Sequence, residues 1–313
     1  MNSDIQVFAP ATVANVGCAF DVLGFAVEAP GDELILKKNN TNNLIIREIT
    51  GDEGKLSKNP KSNTCSVSIQ ELLNRIESDQ GFDIYLHKKM PLGSGLGSSA
   101  ASTVAGVFAA NLLLGSPFSV NELLPFAMEG ERLACGAAHA DNVGPCLIGG
   151  FVLISSYSPL IIRKIPFPSG LHAIVVHPKI EVGTRDARDV LRQKVSLKQA
   201  AEQWGRVGGL IAGLYSSDFE LIGSSLQDII VEPVRSVLIP GFYAVKQAAL
   251  ENGALGCSIS GSGPSVFALA GPDSDPHKIG NLMKVAFQSL QIESSVYVSK
   301  INEKGPIVMN DGV

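Results

Sequence analysis

The chain has 313 residues, of which 45% are hydrophobic, and a formal net charge of −5. A chain of this length and composition can bury a substantial core, in two lobes or in one large domain, so it is not disordered as a whole. The acidic balance and the single tryptophan leave no basic stripe and no row of aromatic side chains. These features argue against nucleic acid as a partner.

The cysteines and the lengths of the apolar runs indicate the cellular compartment in which the protein is expected. Five cysteines are scattered along the chain without a CxxC pair, and we expect them to be buried thiols in a reducing compartment. The start of the chain, MNSDIQVFAP, lacks the basic and apolar regions of a secretory signal. No apolar run approaches the roughly 20 residues that a membrane span requires. The sequence therefore predicts a cytoplasmic protein without a membrane partner.

Strand and helix patterns alternate through the first half of the sequence. β-Branched content with partial alternation predicts strands, and apolar residues at helical spacing predict helices. Ser119 is the expected N-cap of one helix, and Glu122 follows three residues later, as in a capping box. The predicted strands are 5–9, 33–38, 43–48, 82–88 and 147–154, and the predicted helices are 63–76, 98–114 and 119–134.

A proline-marked stretch at 159–170 separates this half from the next. We place the lobe boundary at its start, which gives lobes at 1–158 and 159–313. Mixed element order without a strict βαβ rhythm predicts an α+β fold with helices packed on antiparallel sheets. The second half has predicted strands at 171–177, 257–260, 265–270 and 294–300, and predicted helices at 185–192, 197–215, 219–230, 241–252 and 276–290.

The most informative segment is PLGSGLGSSAAS at 91–102. Gly93, Gly95 and Gly97 precede an apolar helix whose first N–H groups and positive dipole end favour an anion. A P-loop would need a lysine, and a dinucleotide fingerprint would need a glycine where Ser98 stands. A flexible Gly/Ser linker is the alternative, but this segment is bracketed by a strand pattern and a long apolar helix. The sequence therefore predicts a phosphate cradle.

Polar residues cluster in two further places in the first half. Asn15 and Asp21 lie on a glycine-containing turn, where side chains of this kind usually cap local backbone. His139, Asp141 and Asn142 stand together before a predicted strand. A lone histidine is more often a satisfied structural residue than a catalyst, and the histidines show no HExxH spacing for a metal.

The second half has its own polar clusters. Thr184 is the expected cap of a short helix that carries Arg188, whose default interpretation is a solvated helix charge. Arg235 lies on a proline-bounded segment and could bind a carboxylate. Gly261 opens a second glycine turn, Gly-Ser-Gly-Pro, which could be no more than a tight turn. Each signal is modest alone, and their joint occurrence is stronger.

Taken together and in order, these segments resemble the GHMP superfamily of small-molecule kinases, and within it the homoserine kinases. The resemblance implies a two-lobed α+β fold, with an N-terminal lobe of the type seen in a ribosomal-protein domain, a C-terminal ferredoxin-like lobe and a nucleotide between them. The matching segments are APATVANVGCAFDVLG at 9–24, the glycine turn at 91–102, GERLACGAAHADN at 130–142, GTRDAR at 183–188, EPVRSVLIPGF at 232–242 and SGSGPS at 260–265.

The resemblance also implies a function, the ATP-dependent phosphorylation of the side-chain hydroxyl of L-homoserine in threonine biosynthesis. Glu131 with a hydroxyl of Ser98 or Ser99 would hold Mg²⁺, a hard cation that prefers oxygen ligands. Asn63 would approach the adenine, and the glycine turn would wrap the ATP phosphates. The implied nucleotide-binding residues are Asn63, Pro91, Leu92, Gly93, Ser94, Gly95, Leu96, Gly97, Ser98, Ser99, Ala100 and Ala101.

For the substrate, the resemblance assigns one group of residues to each polar group of homoserine. Arginines suit its α-carboxylate through charge-assisted bonds, aspartates suit its ammonium, and asparagines can orient its hydroxyl. The implied substrate-binding residues are Arg188 and Arg235 for the carboxylate, Asp21 or Asp141 for the ammonium, Asn15 and Asn142 for the hydroxyl, and Gly261.

The implied mechanism lacks a strong general base. Some related kinases have an aspartate near the position of Asn142, whereas homoserine kinases resemble this chain in having an asparagine, which cannot accept a proton. Alignment and neutralisation of the γ-phosphate can supply most of the acceleration. We therefore expect direct in-line transfer, with Asn142, Thr184 and Glu131 as the catalytic residues and Thr184 near the γ-phosphate.

Other functions stay open at this point. Paired arginines would also fit a kinase for mevalonate, a sugar or shikimate, although Asp21 and Asp141 favour a substrate with an ammonium group. A nucleotide sensor without catalysis would not require the metal-site residue Glu131. An unrelated globular protein would not repeat several motifs in one order. The sequence leaves the oligomeric state open, a homodimer being one alternative.

Overall fold

The computed structural model of the chain describes residues 3–136 and 139–309, and the side chains at 134, 135, 184 and 185 lie outside the description. Its strands form one seven-stranded sheet and one four-stranded sheet, each covered by helices. The predicted α+β class is therefore confirmed. None of the helices in the described ranges is both long enough and apolar enough to cross a membrane.

The larger sheet is built mainly from the first half of the chain. Its main path runs β11-β1-β2-β4-β3, and β5 extends it by pairing with β2 and with β6. Neighbours are antiparallel except β3 and β4, which are parallel. The strands are β1 (Asp4–Ala14), β2 (Leu23–Asn39), β3 (Leu44–Thr50), β4 (Gly81–His87), β5 (Phe151–Tyr157), β6 (Leu160–Ile165) and, from the end of the chain, β11 (Ile307–Val308).

Four helices pack with this sheet: α1 (Thr64–Arg75), α2 (Ser98–Leu113), α3 (Leu124–Cys135) and α4 (Ala140–Ile148). Helix α2 lies at the centre and contacts β1, β2 and the other three helices. Its small residues permit this close packing, since a Cβ on Gly106 would lie 2.7 Å from Cys65 Sγ. Helix α2 therefore packs closely on α1.

The smaller sheet has the antiparallel order β10-β7-β9-β8. Its strands are β7 (His172–Pro178), β8 (Gly256–Ile259), β9 (Val266–Ala270) and β10 (Ser294–Lys300). Helices α9 (Phe242–Glu251) and α10 (Pro276–Gln288) cover it and form a second core with the fully buried Phe287 and Met283. The remaining helices are α5 (Thr184–Asp189), α6 (Leu197–Ser216), α7 (Phe219–Ser225) and α8 (Glu232–Arg235).

The strand predicted over 147–154 and the helix predicted over 219–230 are wrong in part. The apolar run predicted as a strand over 147–154 begins inside α4, which continues to Ile148, and the strand starts at Phe151 after two glycines with positive φ. A short apolar run has no period that separates strand from buried helix. The helix predicted over 219–230 ends at Ser225, because the Asp228 carboxylate accepts from the backbone N–H groups of the following residues and turns the chain.

The position of the lobe boundary follows from strand pairing. The stretch 159–170 contains β6, which pairs with β5 in the larger sheet, and the smaller sheet begins with β7. We therefore propose that the division lies between Ile165 and His172, somewhat later than residue 158.

Candidate active site

A cavity of about 420 Å³ is lined by residues from both halves of the chain. It brings together most of the residues that the sequence singled out. Those that line it are Asn15, Asp21, Asn63, Leu92, Gly93, Ser94, Gly95, Gly97, Ser98, Ser99, Glu131, Asp141, Asn142, Arg188, Arg235 and Gly261, with His139 beside them.

Some of the predicted nucleotide-binding residues lie behind the cavity wall. Leu96, Ala100 and Ala101 are fully buried, and they and Pro91 are outside the cavity lining. The N–H of Ala101 is bonded within the helix to Gly97 O at 2.9 Å. These residues can support the cradle, but Ala101 has no N–H to offer an anion. The predicted catalytic side chain of Thr184 lies outside the described residues, although its backbone begins α5.

The glycine loop, residues 91–97, has the backbone that the sequence predicts. Gly93, Gly95 and Gly97 have φ values of 63°, 77° and 69°, in the left-handed region. Space also requires two of them, since a Cβ on Gly95 would lie 2.4 Å from Ser260 O and one on Gly97 would lie 2.0 Å from Thr12 Oγ1. Positions 95 and 97 must therefore be glycine for the loop to lie this close to Ser260 and Thr12.

The start of α2 offers unbonded backbone donors. Gly97 is the N-cap and no side chain caps the helix. The first N–H groups of a helix have no partner within the helix, and the dipole adds partial positive charge at this end. Because α2 has 16 residues and its first turn faces the cavity, the arrangement suits the phosphates of a nucleotide.

Below this turn lies a buried ion pair that the sequence analysis missed. Lys88 Nζ donates to Asp32 Oδ2, to Ser98 O at 2.7 Å and to Ser102 Oγ at 2.6 Å. Asp32 is fully buried, and it also accepts from Ser98 Oγ at 3.0 Å. The pair fixes the first turn of α2. Its members are 56 positions apart and carry no local motif, so only the fold could have shown it.

The two serines at the helix start differ in what their hydroxyls can do. Ser98 Oγ is committed to Asp32, whereas Ser99 Oγ is buried without a hydrogen-bond partner among the described residues. Glu131, on α3, is 6% exposed and lines the same cavity. In the described ranges no three His, Cys, Asp or Glu residues gather to form a metal cage. One carboxylate and one hydroxyl suit Mg²⁺ that also binds substrate phosphates, and Ser99 is the better candidate for the hydroxyl.

Asn63 has a structural task at the cavity edge. It is the N-cap of α1, as the predicted start of that helix implied, and its Oδ1 accepts from Cys65 N at 3.1 Å. Its Nδ2 donates to Ser57 O at 3.0 Å. Both ends of the amide are therefore bonded to backbone, and Asn63 fixes the loop near Ser57 that also lines the cavity.

The other part of the cavity carries a buried cation. Arg235 is 4% exposed, and its Nε donates to Ala187 O at 2.8 Å and its Nη1 to Gly261 O at 3.2 Å. The guanidinium lies 5.0 Å from the centre of the Phe20 ring. Burial, and next the charge of Arg188, lower the pKa of Arg235. In the described part of the chain Arg235 forms no ion pair, so a ligand carboxylate would match its charge.

Asn15 and Asp21 hold the loop opposite Arg235. Asn15 Nδ2 donates to Gly261 O at 2.8 Å, and its Oδ1 accepts from Asp21 N at 3.0 Å. Both residues have positive φ, 71° and 59°. The Asp21 carboxylate lies 3.3 Å from Arg188 Nη2 and 3.8 Å from His139 Nδ1. Asp21 therefore lies between the Arg188 guanidinium and the His139 ring, and Asn15 supports the backbone at Gly261.

Asp141 and Asn142 lie in the first turn of α4, a helix that the sequence analysis did not predict. Asp141 is 4% exposed. Burial, and next the charge of Asp21, raise its pKa to about 7. Asn142 Oδ1 accepts from Thr12 Oγ1 at 2.7 Å, which leaves the N–H groups of this amide to face a ligand. Asp141 can therefore pair with a ligand cation, and Asn142 can donate to a hydroxyl oxygen.

His139 does not fit the interpretation of a fully satisfied structural histidine. Its Nε2 is buried and has no hydrogen-bond partner among the described residues, and its ring lines the cavity. Burial lowers its pKa despite the neighbouring Asp21 charge, so the ring is neutral at physiological pH. The His139 ring therefore borders the cavity with one nitrogen that has no partner among the described residues.

Comparisons with known proteins agree with this geometry. Residues 63–150 match the model of the GHMP kinases N terminal domain, and residues 210–284 match that of the GHMP kinases C terminal. Homoserine kinase from Chlorobium phaeobacteroides (strain BS1) is 50% identical, over 96% of this chain and 98% of the relative. Homoserine kinase from Xylella fastidiosa (strain M12) is 36% identical, over 96% of this chain and 92% of the relative.

Solved structures extend the likeness. The crystal structure of homoserine kinase from Cytophaga hutchinsonii is 60% identical, covers 99% of this chain and 98% of its own, and superposes with a TM-score of 0.97. A mevalonate kinase of 17% identity, covering 97% of this chain and 100% of its own, has a TM-score of 0.72 and shows the fold alone. The chain therefore belongs to the GHMP kinases, and within them to the homoserine kinases.

Proposed function

We propose that the protein transfers the γ-phosphoryl group of Mg-ATP to the side-chain hydroxyl of L-homoserine and so makes O-phospho-L-homoserine for threonine biosynthesis. The observation that carries the proposal is the composition of one cavity. A phosphate-binding helix start and a buried cation, Arg235, line the same space, together with the buried carboxyl group of Asp141. The homoserine kinases of other organisms that match the chain over nearly its full length support the same substrate.

The nucleotide and its metal fit one part of this cavity. The glycine loop and the first turn of α2 would bind the phosphates, and Ser99 with Glu131 would hold Mg²⁺. Asn63 organises the wall on which the adenine would lie. When bound, Mg-ATP supplies the transferable phosphoryl group and neutralises part of its charge.

The amino acid fits the other part. Arg235, with Arg188 beside it, would bind the α-carboxylate. Asp141 would accept from the ammonium, with Asp21 nearby as a second carboxylate. A substrate that lacks an ammonium would leave Asp141 either protonated or unmatched, which disfavours mevalonate and shikimate.

For the chemistry itself we infer direct in-line attack without a strong general base. Asn142 would orient the hydroxyl through its N–H groups and cannot accept the proton. Thr184 keeps the role of a helper near the γ-phosphate. Positioning and charge neutralisation can supply most of the rate enhancement, since the transition state of phosphoryl transfer is loose in most analyses.

The test is ADP release by the purified protein with Mg-ATP and, in turn, L-homoserine, mevalonate, galactose or shikimate. We expect turnover that depends on homoserine. The matched control is Glu131→Gln, which keeps the shape of the side chain and removes the metal-binding charge, and it should lose turnover while remaining folded. Turnover with another acceptor and none with homoserine would overturn the substrate, and full activity of Glu131→Gln would overturn the metal assignment.

A further inference from the structure

Gln203 is buried on a helix whose other polar residues are exposed or half-buried. It lies on α6 and is 7% exposed, whereas the adjacent Trp204 is 63% exposed. Burying an amide is costly unless it is hydrogen-bonded. Gln203 Nε2 donates to Cys18 O at 2.8 Å and to Asp228 Oδ1 at 2.9 Å, and its Oε1 accepts from Ile229 N at 3.1 Å. The reversed amide would face two acceptors with its oxygen, so the neighbours fix its orientation.

The first segment that Gln203 holds is a strained loop. Asn15, Val16 and Asp21 all have positive φ, and the value of 39° at Val16 is an outlier for a β-branched residue. Such conformations persist only when surrounding contacts fix them. Cys18 lies in the middle of this loop, and its carbonyl is bonded to Gln203. The loop positions two residues of the cavity, Asn15 and Asp21.

The second segment carries the buried arginine. The Asp228 carboxylate accepts from the N–H groups of Ile230, Val231 and Glu232, at 2.9 Å each. It thereby bonds the N–H of Glu232, the first residue of α8, and Arg235 is the last residue of that helix. Gln203 donates to the same carboxylate, so one amide is bonded both to the loop and to the residue that holds the start of α8.

We propose that Gln203 is a positioning residue for the amino-acid part of the cavity. It lies outside the cavity lining, so it would act on a ligand only through the segments that it bonds. It fixes the loop of Asn15 and Asp21 relative to the helix of Arg235. The distance between the groups that would bind the ammonium and the carboxylate of the substrate is thereby kept constant. The inference rests on the proposed function, because it takes these residues as the homoserine site.

The chemistry of the side chain explains why glutamine serves here. Two donors and one acceptor are used at once, and a glutamate could not donate to Cys18 O and would place a second charge beside Asp228. A methionine has a similar shape and makes none of the three bonds. Gln203→Met therefore removes the link while keeping the volume filled.

The experiment compares Gln203→Met with wild type in steady-state kinetics for both substrates. We expect kcat/KM for homoserine to fall by about tenfold to a hundredfold, since displacements near 1 Å have effects of that size. The KM for ATP should stay within about twofold of wild type, because Gln203 makes no bond to the glycine loop.

The matched control is Arg206→Met, one turn further along α6. Arg206 Nη1 bonds to Gln227 Oε1 at 2.8 Å, beside Asp228, and makes no bond to the loop. It should leave the homoserine kinetics unchanged.

A role in stability alone would affect both substrates equally or neither. Thermal unfolding and ADP binding are therefore measured for each variant, and Gln203→Glu, which keeps the acceptor for Ile229 N, serves as the second variant. Equal loss for ATP and homoserine, or no loss, overturns the proposal, as does failure of both variants to bind ADP. Homoserine binding by Arg235→Ala is measured in parallel. If Arg235→Ala binds homoserine as tightly as wild type, the assignment of the site is wrong. If Arg235→Ala binds homoserine more weakly and Gln203→Met has wild-type kinetics, only the positioning role of Gln203 is refuted.

Discussion

Asp141 is an acid whose surroundings oppose its charge. Burial, followed by the charge of Asp21, raises its pKa from 3.8 to about 7. Between these two values the folded protein binds a proton that the unfolded chain has already lost. The contribution of Asp141 to stability therefore falls as pH rises through this interval, and it is constant below and above it.

We predict that Asp141→Asn is more stable than wild type at pH 8 and that this gain shrinks toward pH 4, because the amide has no charge to bury. Urea unfolding of both proteins from pH 4 to pH 8 measures the difference. Above pH 7, homoserine should bind to Asp141→Asn less tightly than to wild type, because the ammonium of homoserine can pair with the ionised Asp141 carboxylate only in the wild type. A stability difference that does not change with pH would contradict the raised pKa.

His139 tests the proposed absence of a general base. Its ring lines the cavity, and burial lowers its pKa, so the ring is neutral, which is the state that a base requires. If transfer needs no base, His139→Ala should keep kcat within about a hundredfold of wild type, the low end of what acid–base catalysis contributes. Circular dichroism must first show that the variant is folded. A much larger loss, with a pH profile that loses its acidic limb, would assign proton transfer to His139.

The sequence predicts the charged residues of the cavity better than it predicts the residues that hold them in place. Arg235 and Asp141 stand in recognisable motifs, and both line the cavity. Lys88 and Asp32 are separated by 56 positions, and Gln203 by 185 from the loop that it holds. A hydrogen bond between distant residues leaves no periodic or local pattern, so these supports could not be found without the fold.

Among the elements, the glycine loop is where backbone shape matters most. Gly93 and Gly95 have similar positive φ values, but a Cβ meets no atom within 4 Å at Gly93 and would lie 2.4 Å from Ser260 O at Gly95. Gly93→Ala should therefore cost only the backbone strain of about 1–2 kcal/mol. Gly95→Ala should cost distinctly more and should raise the KM for ATP. Denaturant unfolding of the two variants measures the difference, and equal midpoints would show that the loop can move away from Ser260.

The predictions of helices and strands are wrong where the local sequence preference differs from the structure that packing imposes. The helix predicted over 63–76 is present as α1, Thr64–Arg75. The predicted capping box of Ser119 with Glu122 is confirmed, because caps have local signatures. The first turn after Ser119 is a 3₁₀ helix over Val120–Leu123, and α3 begins only at Leu124. Helix α4 was missed because it carries Pro145 and ends in an apolar run. Strand β6 was missed because the flanking prolines suggested a linker.

The two lobes meet directly at the glycine loop, the proposed phosphate site. Ser260 Oγ donates to Gly95 O at 2.7 Å, and Ser265 N donates to Ser94 O at 3.2 Å. The second glycine turn is thus more than a tight turn, because it holds the glycine loop of the other lobe. The larger core also crosses the division, since Phe267 of β9 packs edge-on against Phe25 of β2.

We predict that Ser260→Ala weakens ATP binding several-fold and costs about 1 kcal/mol of stability, the usual value of one hydrogen bond. The matched control is Ser274→Ala, which removes the bond from Ser274 Oγ to Gly253 O at 2.6 Å, within the C-terminal lobe alone. Titration with a non-hydrolysable ATP analogue measures both. Equal affinities for Ser260→Ala and wild type would mean that the glycine loop keeps its shape without the second lobe.

The last strand has a consequence for how the protein is made. Strand β11 pairs with β1, matching Val308 to Val7 and Ile307 to Phe8, and Asn302 N bonds to Ala26 O at 2.9 Å. During synthesis on the ribosome, the part of β1 around Val7 and Phe8 lacks this partner until the polypeptide has run through the whole second lobe and returned. Unpaired strand edges invite pairing with other chains. The first lobe is therefore the first to emerge, and its sheet is the last to be completed.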